Sequence, residues 1–147
     1  MRMTMYTDYA LRVLMYLGAK KDGELSTIQG ISDAYGISKN HLMKITHKLG
    51  QLGYVETVRG RGGGVRLAVP PAEIKIGTVV RQTEDDFNIV ECFSSTANQC
   101  VLSPVCGLRG ALNQALMAYL AVLDQYTLAD FLINKQDLAA LLSGREI

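Results

Sequence analysis

Residues 24–69 read ELSTIQGISDAYGISKNHLMKITHKLGQLGYVETVRGRGGGVRLAV, and this stretch decides the fold. It predicts two helices followed by a hairpin. The first helix is expected from Ser26 to Tyr35, with Ser26 as its cap and Ile28, Ile31 and Ala34 on one face. Gly36 suits a left-handed helix end, and Ser38 is placed to cap the next helix. There Leu42, Ile45, Leu49 and Leu52 recur at spacings of three, four and three, the pattern of a buried face. The other face carries Lys39, Asn40, His41, Lys44, His47, Lys48 and Gln51. Two helices joined by a short turn, the second with a basic outer face, form the helix-turn-helix pattern, whose second helix enters the major groove of double-stranded DNA. After Gly53, YVETVRG and VRLAV are β-prone runs joined through RGRGGG. A basic hairpin in this position is a wing. Arg59, Arg61 and Arg66 would reach phosphates or a minor groove, while Gly62 and Gly63 let the backbone approach closely. The glycines lead into a strand rather than opening a helix, which excludes a nucleotide-binding loop.

Working outward, the charge is divided. Residues 1–70 carry ten Lys/Arg against five Asp/Glu, and residues 71–147 carry five against nine. Between Lys39 and Arg66 six basic residues face a single acid, Glu56. A basic half joined to an acidic half implies a polyanion-facing module and a second module with another task. The 147 residues suffice for a domain that buries roughly two-thirds of its unfolded surface. No apolar run reaches the ~18 residues of a membrane span, and no cleavage site follows the N-terminal segment, so a cytoplasmic protein is expected.

In the acidic half, Pro70–Pro71 closes the winged module and residues 72–90 are expected to hold a connecting helix. Ser103 followed by Pro104 predicts a helix start. Along 104–126, Val105, Leu108, Leu112, Ala115, Tyr119, Val122 and Tyr126 fall at alternating spacings of three and four, widened by Leu116, Leu120 and Leu123. An interior helix would satisfy part of this pattern. The breadth of the stripe favours a helix that pairs with its copy in a symmetric homodimer, and two winged helices so related would read a near-palindromic operator. Residues 127–147 are expected to form a last helical segment. The fold class is therefore mostly α with a small β wing: a winged helix-turn-helix module (1–71) plus a long dimerisation helix.

All three cysteines, Cys92, Cys100 and Cys106, lie within the loop 91–107, spaced Cys-x7-Cys-x5-Cys. A disulfide would leave one stray, and zinc sites pair their ligands more closely. A catalytic thiol would want a base, and neither histidine lies in this half. Wide spacing in an irregular loop suits an iron–sulfur cluster. A thiol switch without a cluster is the competing reading. Cys106 is expected as the third residue of its helix, where the positive helix end favours a thiolate.

The segments MYTDYALRVLMYL, GISKNHLMKITHKLGQLGYVETVRGRGGGVRL, TEDDFNIVECF and the final C-x5-C-G, in that order, resemble the winged-helix iron–sulfur regulator family, and most closely its NsrR-type, nitric-oxide-sensing branch. The resemblance implies a homodimer, a cluster on the three cysteines, and release of DNA in response to nitric oxide. A 4Fe–4S cluster is the expected form, with 2Fe–2S and a redox or cluster-status signal as the alternative. IscR-like members place a histidine three residues after the third cysteine; here that residue is Arg109. The resemblance instead points to Asp8 of the partner subunit as fourth ligand. Taken alone, Asp8 reads as a favourable charge at a helix N-terminus. Arg12, four residues on, has the spacing to orient that carboxylate. No nucleophile–base pair or carboxylate dyad is visible, so an enzyme is not expected.

Overall fold

The computed structural model describes residues 1–144. Its helices are α1 (Met5–Ala19), α2 (Ile28–Tyr35), α3 (Lys39–Gln51), α4 (Ile76–Thr83), α5 (Gly107–Leu123) and α6 (Lys135–Leu142), with strands β1 (Val55–Val58) and β2 (Gly64–Leu67) between α3 and α4. α1 is the centre. The Thr4 hydroxyl accepts from the Thr7 N–H to cap it, and Thr7, Ala10, Val13, Leu14 and Leu17 form its buried stripe. It packs against α3, β2, α4 and α6, so a single core joins the two halves.

Local signals explain the helix-turn-helix. The Thr27 hydroxyl caps α2, Gly36 ends it at φ +66°, and the Ser38 hydroxyl accepts from the His41 N–H to start α3. α3 buries Leu42, Ile45, Thr46 and Leu49. Each leucine so removed from water contributes about 1.5–3 kcal/mol. Leu52, expected on this face, is only half-buried, whereas Thr46 joins the buried residues with its hydroxyl donating to the Leu42 carbonyl.

Ser26 does not cap α2. Its backbone exchanges hydrogen bonds with Val65 (Ser26 N to Val65 O, 2.8 Å; Val65 N to Ser26 O, 2.7 Å), which adds a third arm to the wing. Extended by that bridge, Ser26 leaves the cap to the next residue, Thr27. β1 and β2 pair antiparallel from Val55↔Leu67 to Val58↔Gly64. A Cβ on Gly64 would meet the Ser26 carbonyl oxygen at 2.5 Å, so the close approach of wing and linker requires glycine there.

Beyond Pro70, only 76–83 of the expected connecting segment is α-helical; residues 71–73 form a 3-10 turn. The helix expected from Pro104 begins instead at Gly107, with Cys106 as its N-cap rather than its third residue. Ser103 is the reason. Its hydroxyl is engaged with the Asn98 side chain (2.9 and 3.1 Å), and its N–H closes a turn onto Cys100. Such local bonds compete with capping. At the other end, Ile76 N to Tyr126 O and Leu128 N to Ile74 O zip the end of α5 to the start of α4. Arg81 clamps Asp124 through two hydrogen bonds of 2.5 and 2.8 Å, which hold the Asp124 carboxyl below its ordinary range.

Candidate nucleic-acid interface and cysteine loop

The outer face of α3 is assembled as the sequence suggests. Ser38, Lys39, Asn40, His41, Lys44 and His47 are exposed, and Lys48 is half-buried at its edge. In the wing, Arg59, Arg61 and Gly62 are exposed, and Gly63 is half-buried where a side chain would collide with the Val58 carbonyl. Arg66 departs from expectation. It bonds Glu56 across the β1–β2 pair at 2.5 Å and is spent within the wing. That pairing also removes the one acid of the stretch. Lys39, Lys44, Lys48, Arg59 and Arg61 are left without an ion-pair partner among the described residues. Free cations on a protruding helix and hairpin suit a phosphate backbone.

α1 supports this face from beneath. The Tyr6 hydroxyl reaches the Lys44 carbonyl, and the Tyr9 ring lies 6.1 Å from that of His41. The Arg12 guanidinium sits over Tyr9 at 5.9 Å and Tyr35 at 6.0 Å. Arg12 also holds Asp8 bidentately, Nε to Oδ1 at 3.1 Å and Nη2 to Oδ2 at 3.0 Å. Those bonds raise the guanidinium pKa further above its ordinary value. One guanidinium contact per oxygen leaves each carboxylate oxygen a further lone pair. Asp8 therefore retains donor capacity while Arg12 fixes its direction.

The cysteine loop is built from polar turns. Cys92 lies in the 3-10 turn Glu91–Phe93, Cys100 is exposed, Cys106 is half-buried, and all three are free thiols. Glu91 Oε1 accepts from the Gln99 N–H, and Asn98 Oδ1 accepts from the Cys100 N–H. In the single chain these thiols do not gather. Among the described residues, no three His, Cys, Asp or Glu side chains stand close enough to hold a metal ion, and Asp8 is not brought together with the cysteines. The donor chemistry nonetheless fits an iron–sulfur group: three unpaired thiols, one at a helix N-terminus, on irregular backbone. Arg109 lines an open cleft of 510 Å³ beside the loop with Phe87, Asn88, Phe93 and Asn113.

Two features escape a reading of the sequence. Thr4 donates from both its N–H and its hydroxyl to Glu84 Oε1, each at 2.9 Å, tying the start of α1 to the end of α4. Eighty positions apart, these residues give no local signal. Met43 stands 58% exposed amid the polar face of α3, where its place next to the buried Leu42 could have marked it.

With the geometry in place, the comparisons are consistent with one another. The family model for Rrf2, iron-dependent transcriptional regulator, matches residues 3–134. The HTH-type transcriptional regulator NsrR of Bacillus subtilis (strain 168) is 63% identical over 146 residues, covering 99% of this chain and all of that one. The regulator of the same name from Bacillus licheniformis is 59% identical over 143 residues, covering 97% of this chain and 100% of the relative. The structure of IscR from T. potens shares the fold, with a TM-score of 0.73 at 22% identity, covering 91% of this chain and 88% of that one. No helix among the described residues is long and apolar enough to cross a membrane. Winged helix-turn-helix, free basic face, cysteine loop and full-length relatives agree on a transcriptional regulator rather than an enzyme: the chain belongs to the Rrf2 family of iron-dependent transcriptional regulators.

Proposed function

We propose that the protein is a homodimeric, cytoplasmic repressor of the NsrR type, which binds near-palindromic operator DNA and releases it in response to nitric oxide. The observation that carries this reading is the placement of three free thiols on one loop at the foot of α5, in a chain 63% identical to a regulator named NsrR. Cys92, Cys100 and Cys106 would hold an iron–sulfur cluster, 4Fe–4S in the favoured form, with Asp8 of the partner subunit as the fourth ligand. When bound, the group would supply iron able to react with nitric oxide, most readily where a hard carboxylate replaces a soft thiolate. The chain's own residues supply the rest. Arg12 fixes Asp8, and the Tyr9 ring stands between the Arg12 guanidinium (5.9 Å) and the His41 ring (6.1 Å), so that a row of neighbouring side chains leads from Asp8 to α3. Lys39, Lys44, Lys48, Arg59 and Arg61 bind phosphates, and Ser38, Asn40 and His41 present polar groups to base edges.

The test is anaerobic purification, iron and sulfide assay, and titration with nitric oxide while binding to selected duplex DNA is followed. About four irons per chain, lost in parallel with DNA affinity, is the expected result. Two irons and indifference to nitric oxide would move the protein to cluster-status sensing. A colourless protein after reconstitution would leave a thiol switch. Asp8→Ala is expected to weaken the coupling between iron content and DNA affinity, and unchanged coupling would remove Asp8 from the site.

A further inference from the structure

The outward face of α3 holds one side chain unlike its neighbours. With roughly 100° of turn per residue, Asn40, Lys44 and His47 lie opposite the buried Leu42, Ile45, Thr46 and Leu49. Met43 borders that crest, three residues after Asn40 and four before His47. It is 58% exposed, whereas the adjacent Leu42 is fully buried. Between α1 and α4 the one other exposed large apolar side chain among the described residues is Val58, less open at 38%, in the wing. Single exposed apolar residues are ordinary on a protein surface. This one is distinguished by its frame, because the unpaired Lys39, Lys44 and Lys48 commit the face to a polyanion.

A major groove offers hydrogen-bond donors and acceptors at every base pair and one apolar group, the C5-methyl of thymine. Methionine is unbranched and polarisable, suited to packing on a small apolar target of imposed position. We infer that Met43 is a specificity-determining residue that packs on the C5-methyl group of one thymine in each operator half-site, beside the base edge met by Asn40. The inference rests on α3 being the DNA-reading helix and adds which chemical group on the DNA its one apolar side chain selects.

The experiment starts from the full chain, purified anaerobically, and duplexes it selects from a random-sequence library. In the selected duplex each thymine is replaced in turn by deoxyuridine, which removes only the methyl group. Wild type is expected to lose about three- to fivefold in affinity at one thymine per half-site, the worth of one buried methyl. Met43→Ala should be insensitive to that same replacement and keep the wild-type salt dependence, because no phosphate contact is lost. Its unfolding midpoint should match wild type, since the side chain is exposed. If no thymine matters to wild type, or if Met43→Ala suffers the same loss at the same thymine, the inference is overturned. Failure to select any duplex would instead overturn the DNA-binding reading on which it stands.

Discussion

α3 and α5 are built alike on one side and differently on the other. Both bury a leucine-rich stripe, Leu42, Ile45 and Leu49 in α3 and Leu116 and Leu120 in α5. The outer face of α3 is cationic, but that of α5 is apolar, with Leu108 66%, Met117 55% and Val122 51% exposed. One chain completes the structure of α3 and leaves α5 half-covered. An apolar helix face of this breadth is satisfied by another protein surface, and a polar, basic one by a polyanion. What each helix leaves uncovered, charge on α3 and apolar surface on α5, is the contrast on which the proposed roles of reading and pairing rest.

The sharpest way to break this contrast is to truncate one leucine on each helix. Leu42→Ala opens a cavity in a fully buried position and should cost about 2–5 kcal/mol in denaturant unfolding at any protein concentration. Leu108→Ala should cost under about 0.5 kcal/mol within the isolated fold. Its effect should appear instead as a lower dimer fraction in sedimentation, with Tm lowered only at protein concentrations where the wild type is dimeric. A concentration-independent loss from Leu108→Ala would mean that α5 is covered within its own chain.

A smaller effect is expected where α4 is fastened to the end of α5. Gly77 sits under the Arg81–Asp124 clamp, and a Cβ there would collide with Asp124 Oδ1. Gly77→Ala should cost about 1–3 kcal/mol, the usual range for overpacking, by forcing the α4–α5 junction apart. Adding Asp124→Ala should recover part of that loss, because it removes the obstructing carboxylate. Equal instability of the single and double variants would place the strain elsewhere.

What could be read in the sequence follows from how local its cause is. The spacing of Leu42, Ile45 and Leu49, the cap at Ser38 and the left-handed Gly36 act within a turn or two, and α3 stands where they put it. The wing was equally legible from RGRGGG between two β-prone runs. Ser26 and Ser103 misled for a single reason. Each has the chemistry of a helix cap, but a strand partner at Val65 and a loop partner at Asn98 claim them first. Arg66 looked like a phosphate ligand until Glu56, ten residues back, was brought opposite it by the hairpin register. The bonds between Thr4 and Glu84, and between Arg81 and Asp124, join positions too distant for any window to connect. The cysteines were conspicuous by spacing alone, whereas Asp8 entered only by family resemblance, since an acid in the first turn of a helix is ordinary.

The smallest expected effect concerns how tightly the completed half is closed beneath α3. Tyr35, at the end of α2, donates its hydroxyl to the Arg12 carbonyl at 2.9 Å, and burial pushes its pKa from 10.0 up to about 12. The fold thus prefers the protonated phenol. Below pH 10 both folded and unfolded chains keep that proton, and the contribution is constant. Between pH 10 and 12 the unfolded chain gives it up first, so stability falls as pH rises through that window. Tyr6 and Tyr54 are raised for the same reason and add to the slope. Tyr35→Phe should lose about 1 kcal/mol at neutral pH, the worth of one hydrogen bond. It should also flatten the fall in urea midpoint between pH 10 and 12 by up to one proton's worth, leaving the share of the other two tyrosines. A profile parallel to wild type through that window would mean that the phenol is solvated. The contact between α2 and α1 would then be loose at the place where Arg12, which holds Asp8, rests on the Tyr35 ring. The half of the molecule taken as complete would share the openness of the other.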